Sequence, residues 1–261
     1  MNILCIGDVV GRPGREAIRK LLPDIKKEFS IDFVLANAEN AAGGSGITGT
    51  IVEELFSLGC DVLTTGDHVW DKLEIKEFLA QTNHVIRPAN FPEDAPGKGW
   101  TVVKTQKGIK VGIINLLGRV FMRYNVNCPF RELRSIVDKI KAETSLIVVD
   151  MHAEATSEKI ALGYFIDGEV SAVVGTHTHV ATADETVLPK GTAFITDLGM
   201  TGPHDSVIGQ VKEKIVERFL KGMPTKFEVA TGDIRLNGAV IDIDESTGKA
   251  RSITRLSRKV N

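Results

Sequence analysis

The chain has 261 residues, 43% hydrophobic and 25% charged, with a formal net charge of −2. These are ordinary values for a folded protein and exclude a disordered polyelectrolyte or a coiled coil, while so small a charge gives no general field for nucleic acid. Three cysteines, Cys5, Cys60 and Cys128, have no metal-type spacing and read as free thiols. The apolar start is interrupted at Asp8, so neither a signal peptide nor a membrane span is expected and the protein reads as cytoplasmic.

Apolar, β-branched runs alternate with amphipathic segments of helical length, the pattern of a sheet flanked by helices. A strand is expected over 2–7, then a helix over 14–28, a strand over 32–37, a helix over 49–58 and a strand over 61–65. A helix over 72–80 and a short strand at 84–87 complete the first half. A Pro-rich loop, 88–99, precedes strands at 101–106 and 110–115, joined by Gln106-Lys107-Gly108 as a hairpin. Next come a helix over 130–143, a strand at 146–151, a helix over 155–163 and a strand at 171–175. The rest reads as short runs at 185–188 and 192–196, a helix over 207–220, and strands near 226–231, 236–243 and 249–255. No flexible linker or internal repeat interrupts the series, so one domain spanning 1–261 is the expectation.

Chemistry-bearing residues fall just past the apolar runs. Asp8 follows Ile3 to Gly7, Glu39-Asn40 follow Phe33 to Ala36, and Asp67-His68 follow Val62 to Thr65. His152 follows Leu146 to Val149, and His177-Thr178-His179 follow Ala172 to Gly175. In an open α/β sheet, ligands bind in the crevice beyond the carboxyl ends of the strands, so these residues are expected to share one rim. Carboxylates and imidazoles gathered there suit a metal. For the His pair, extended backbone would point side chains two apart the same way, so both imidazoles would face one point.

Taken singly, the others have ordinary alternatives. Asp8 fits a helix N-cap or turn, Glu39 a surface ion pair, Asp67 a Gly-Asp turn, and His152 a strand-end imidazole bonded to Asp150. Gly7, Gly11 and Gly14 do not keep dinucleotide spacing. Gly43-Gly44-Ser45-Gly46 lacks the Lys-Ser or Lys-Thr of a P-loop and reads as a tight loop near the metals. His84 and His204 have no ligand partners in sequence and receive no role.

The order Asp, Glu-Asn, Gly-x-His, His, His-x-His resembles the calcineurin-like metallophosphoesterases. The strings Gly7-Asp8-Val9-Val10-Gly11, Ala38-Glu39-Asn40-Ala41, His152-Ala153-Glu154-Ala155-Thr156-Ser157-Glu158-Lys159 and Gly199-Met200-Thr201-Gly202-Pro203 are similar to its YmdB-like branch. The resemblance implies a four-layer α/β/β/α sandwich, homo-oligomerisation and a centre of two divalent or mixed-valence ions. Iron or manganese is the family's suggestion, and the donor chemistry admits zinc. It also implies hydrolysis of cyclic nucleotides, 2′,3′-cyclic and as a further candidate 3′,5′-cyclic, by a metal-bridging hydroxide.

By position, Glu39 would bridge the ions, with Asp8, Asn40 and His179 completing one site and Asp67, His152 and His177 the other. His68 would be the general acid. The family pattern at the third motif is usually Gly-Asn-His, so Asp67 adds a negative charge that favours metal retention over activation of an anionic phosphate. Two rival functions are a phosphomonoesterase and a regulatory metal-containing binding protein with incidental turnover. The basic stretch Lys249, Arg251, Arg255, Arg258 and Lys259 reads as a solvated strand and tail, with an RNA or protein contact as the alternative.

Overall fold

The alternation in the sequence becomes two stacked sheets in the computed structural model, which describes residues 1–261. In chain order the elements are β1 (Asn2–Ile6), β2 (Asp8–Val9), α1 (Gly11–Glu28), β3 (Phe33–Asn37), α2 (Gly49–Ser57), β4 (Val62–Thr64), α3 (Ile75–Gln81) and β5 (Val85–Ile86). They continue with β6 (Trp100–Lys104), β7 (Lys110–Leu117), α4 (Pro129–Ile140), β8 (Ile147–His152), α5 (Thr156–Ile166) and β9 (Ala172–Thr176). The last are β10 (Thr186–Val187), β11 (Ala193–Ile195), β12 (Met200–Pro203), α6 (Lys212–Lys221), β13 (Ile234–Ile243) and β14 (Ala250–Lys259).

One sheet has the order β2-β12-β13-β1-β3-β4-β5, with β14 on the free side of β13; the other runs β10-β11-β9-β8-β7-β6. Within them β1, β3, β4 and β5 are mutually parallel, as are β7, β8, β9 and β11. The expected hairpin is present as the antiparallel pair β6 and β7.

Strand alternation sorts the apolar residues into three layers. Ile3, Cys5, Phe33, Leu35 and Val62 meet Val111, Ile113, Val148 and Val174 between the sheets. Leu4, Ile6, Val34 and Leu63 turn outward onto Ile18 and Leu22 of α1, Val52 and Leu55 of α2, and Leu79 of α3. On the other outer face Ile147, Val149 and Val173 pack on Leu133 and Val137 of α4 and Leu162 of α5. The result is the expected α/β/β/α sandwich. No helix is long and apolar enough to cross a membrane.

Two expectations in the final third are corrected. The helix expected over 207–220 begins only at Lys212, because Ile208 and Gly209 have φ of 45° and 96°, outside the right-handed helical region. Residues 226–231 form no strand and make only a bridge from Val229 to Gln210. Both edges of β13 are already occupied, by β1 and β12 on one side and β14 on the other, so this segment cannot pair with β13 and lies instead against Gln210. The two strands missing from the sequence reading, β2 and β12, are short and pair with each other in parallel, Met200 opposite Asp8.

Phe33 is 1% exposed between the sheets, so Phe33→Ala should cost about 3–5 kcal/mol through lost burial and a residual cavity. Urea denaturation should show that loss, and little change for Phe121→Ala, whose ring is 87% exposed.

Candidate metal centre

Strand ends supply most of the centre. Asp8 is fixed by the pairing of β2 with β12, and Glu39 and Asn40 follow β3. Asp67 and His68 follow β4 across Gly66, where the backbone passes so close that an added Cβ would lie 2.3 Å from His152 Nε2 and 2.4 Å from Glu39 Oε2. His152 ends β8, and His177 follows the last residue of β9.

Ligand-type atoms of Glu39, Asp67, His152 and His177 all lie within 4.8 Å of one another. His152 Nε2 is 3.1 Å from Glu39 Oε1 and 3.3 Å from Asp67 Oδ1, while His177 Nδ1 is 3.0 Å from His152 Nε2 and 3.4 Å from Asp67 Oδ1. Beside them, Asn40 Nδ2 is 3.1 Å from both Glu39 Oε1 and His179 Nε2, and His179 Nε2 is 4.0 Å from Asp8 Oδ1. Glu39 therefore touches both groups. His68 stands at the margin: its N–H donates to Glu39 Oε2 at 3.0 Å, and its ring turns to Asp71.

The His pair converges by a different route from the one expected. His177 and His179 have φ of 98° and 65°, so the backbone is a left-handed turn and the imidazoles go to different groups. The His177 N–H donates to Asp8 Oδ2 at 3.1 Å, which draws the chain out of the strand. Non-glycine residues held in this region cost on the order of 1–3 kcal/mol each, so surrounding contacts must impose the turn.

Hydrogen bonds on the outward nitrogens set the tautomers. His179 Nδ1 donates to the Ile208 carbonyl at 2.9 Å, leaving on Nε2 a lone pair that faces Asn40 Nδ2, and burial lowers the pKa of this imidazole. For His152 the partner is Thr176: its hydroxyl donates to Asp150 Oδ1 at 2.6 Å and can accept from His152 Nδ1 at 2.9 Å. Asp150 therefore acts on His152 through Thr176 and does not touch it. Asn37 and Thr64 of the other sheet donate to Asp150 Oδ2 at 3.0 and 2.5 Å.

The sequence reading paired Asp150 with His152 directly, whereas the structure routes that link through Thr176; Thr176, Asn37 and Thr64 were missed because their side chains lie inside apolar strands. Asp71 was missed too, although it sits three positions after His68 and binds its Nδ1 at 2.7 Å. The glycine run lies beside this pair, with Ser45 Oγ 3.3 Å from His68 Nδ1.

The electrostatics call for cations. Burial, followed by the repulsion of Asp197 and Glu39 and against the attraction of His152, pushes Asp8 up from 3.8 to about 7, and its Oδ1 is buried with no hydrogen-bond partner. Burial opposes charge on His152, yet Glu39 and Asp67 outweigh it and raise that imidazole well above 6.5. Burial likewise opposes ionisation of Asp67, but hydrogen bonds from His152 and His177 outweigh it and hold its carboxyl well below the usual range. A buried orphan oxygen within a set of carboxylates, imidazoles and an amide fits divalent ions. Asn40 would join such a set through its carbonyl, by a half-turn about χ2 that exchanges its oxygen and nitrogen.

The family model described as YmdB-like protein matches residues 4–256. This chain belongs to the YmdB-like family. A 2′,3′-cyclic-nucleotide 2′-phosphodiesterase of Bacillus subtilis (strain 168) is 49% identical over 98% of this chain and 96% of its own length. Among solved structures, a hypothetical protein from Thermus thermophilus superposes with a TM-score of 0.92 at 39% identity, covering 100% of both chains. A novel phosphatase from Mycoplasma pneumoniae gives 0.92 at 35% identity, covering 99% of this chain and 93% of its own. The YmdB-like fold thus extends over the whole chain, and its named relatives are phosphatases and phosphodiesterases.

Gly66→Ala should leave the fold cooperative but reduce bound metal sharply, because the methyl group displaces Glu39 or His152; metal analysis alongside a melting curve checks this. Asp8 gives a pH test. Its pKa is higher folded than unfolded, so the metal-free folded chain holds the extra proton between about 3.8 and about 7, and the stabilisation this gives is lost as pH rises through that window. Metal-free Asp8→Asn should lose that component of the pH dependence and melt higher than the native chain at pH 8.

Proposed function

We propose that this YmdB-like protein is a dinuclear metallophosphoesterase hydrolysing cyclic nucleotides, 2′,3′-cyclic and as a further candidate 3′,5′-cyclic. The observation that carries the reading is the contact of Glu39 with both donor groups at a rim shared by the two sheets. Asp8, Asn40 and His179 are assigned to one ion, Asp67, His152 and His177 to the other, and Glu39 to both. The 49% identity to a 2′,3′-cyclic-nucleotide 2′-phosphodiesterase supports the substrate class. An imidazole, carboxylate and amide set without thiolate suits iron or manganese, with zinc the third candidate. We place the protein in the cytoplasm as a single-domain homo-oligomer acting on a small-molecule substrate, without general nucleic-acid binding.

When bound, the cations neutralise charge gathering on the phosphorus centre and lower the pKa of water beside it. The protein's own residues do the rest. Glu39, gripped by the His68 N–H, keeps the two donor groups in a fixed relation. His68, with Nδ1 engaged by Asp71, has Nε2 left to give a proton to the departing ribose oxygen, the role assigned to it here.

His68→Ala should retain both ions and lose about 10²- to 10⁴-fold in turnover of 2′,3′-cyclic AMP; full activity would remove His68 from the mechanism. A diester preference is expected, with bis(p-nitrophenyl) phosphate cleaved faster than p-nitrophenyl phosphate, and the reverse order would favour the phosphomonoesterase reading. If inactive His68→Ala reproduced every cellular effect of the native chain, a regulatory binding role would replace catalysis. Asp67→Asn removes one negative charge from the centre, so it should bind metal more weakly but turn over faster at saturating metal.

A further inference from the structure

The string from His152 to Lys159 supplies a second side chain to this region, one the reaction does not use. Lys159, on α5, is 0% exposed, and its ammonium donates to the Thr176 carbonyl and to Asp197 Oδ2, both at 2.7 Å. Asp197 is also fully enclosed. Its Oδ2 accepts from the Thr178 N–H at 3.2 Å and its Oδ1 from the Gly199 N–H at 2.8 Å. Its carbonyl takes the Thr182 N–H at 3.0 Å.

These bonds enclose the left-handed turn. Lys159 holds Thr176, the residue before His177; Asp197 holds Thr178, the residue between the two imidazoles; and Gly199 precedes Met200, whose N–H donates to the His179 carbonyl at 3.2 Å. Gly175 presses against the same support, since an added Cβ there would lie 1.7 Å from the Thr196 carbonyl. A buried ion pair is weak support for stability alone, because desolvation offsets much of its attraction, and fixing one conformation is a use to be tested in each protein.

We infer that Lys159 and Asp197 are positioning residues, a buried ion pair that imposes the His177-Thr178-His179 turn and so holds one imidazole in each metal site. The inference rests on the two-metal reading. Neither residue belongs to the assigned donor set; both act through the backbone that carries it.

The test uses the full chain and Mn²⁺ alone. Lys159→Met with Asp197→Asn removes both charges, so no uncompensated ion is left buried. Mn²⁺ affinity by calorimetry should fall about 10- to 100-fold, the usual scale for lost support behind a ligand, and the rise in Tm that Mn²⁺ gives should shrink accordingly. The spin-coupled signal of a Mn²⁺ pair in electron paramagnetic resonance should weaken at equal loading. A pair that serves only the fold would lower the melting temperature of the metal-free and loaded protein equally, leaving affinity and signal native, and that result overturns the inference. Should the double variant not fold, Asp197→Asn alone keeps the shape and removes an acceptor, and native Mn²⁺ affinity there overturns it equally. If the native chain takes up no Mn²⁺, iron or zinc, the two-metal reading fails first.

Discussion

The centre depends on a polar knot that joins the sheets beneath it. Asp150, buried on β8, accepts from Asn37 on β3 and Thr64 on β4 across the sandwich and from Thr176 on the neighbouring β9, so one carboxylate binds three other strands and both sheets. Burial of apolar surface above and below is not directional and does not by itself say which polar atoms must meet. Hydrogen bonds to a single buried group are directional, and leaving one unmade is costly. The knot therefore fixes the register at the rim, where Glu39 and Asp67 from one sheet must meet His152 and His177 from the other within ångströms.

From that register the electrostatics follow. Burial opposes ionisation throughout the rim, and each group answers differently: Asp8 rises to about 7, while Asp67 and His152 settle as an ionic pair. The metal-free arrangement uses protons where cations would serve, and Asp8 Oδ1 remains without a partner. Charge is concentrated here by the fold, against its own stability, which is the mark of a site selected for binding rather than for packing.

Support behind the candidate ligands is layered. Thr176 and Asp150 orient the His152 ring, the Ile208 carbonyl orients His179, and Asp71 orients His68. Outer partners of this kind set tautomers and ring planes, so ligand identity alone does not make a centre. In His177 and His179 the backbone itself carries strain, and the contacts around the turn hold it in place.

Much of this was legible in the residues. The 2-residue and 3.6-residue periodicities gave the sheets and most helices, because burial of one face leaves its period in the chain. The placement of Asp8, Glu39, Asp67, His152 and His177 at strand ends marked the rim. Tertiary structure alone decided the rest. Residues 226–231 look like a strand but find β13 occupied on both sides, β2 and β12 are too short to show a period, and Ile208 and Gly209 delay α6. Asp150 was visible beside His152, but its links to Asn37, Thr64 and Thr176, and that of Lys159 to Asp197, were hidden because a polar residue in the chain discloses nothing about what it touches once folded. Local pattern records which face is buried; which atoms meet there is set by register between distant strands, and that is a property of the folded whole.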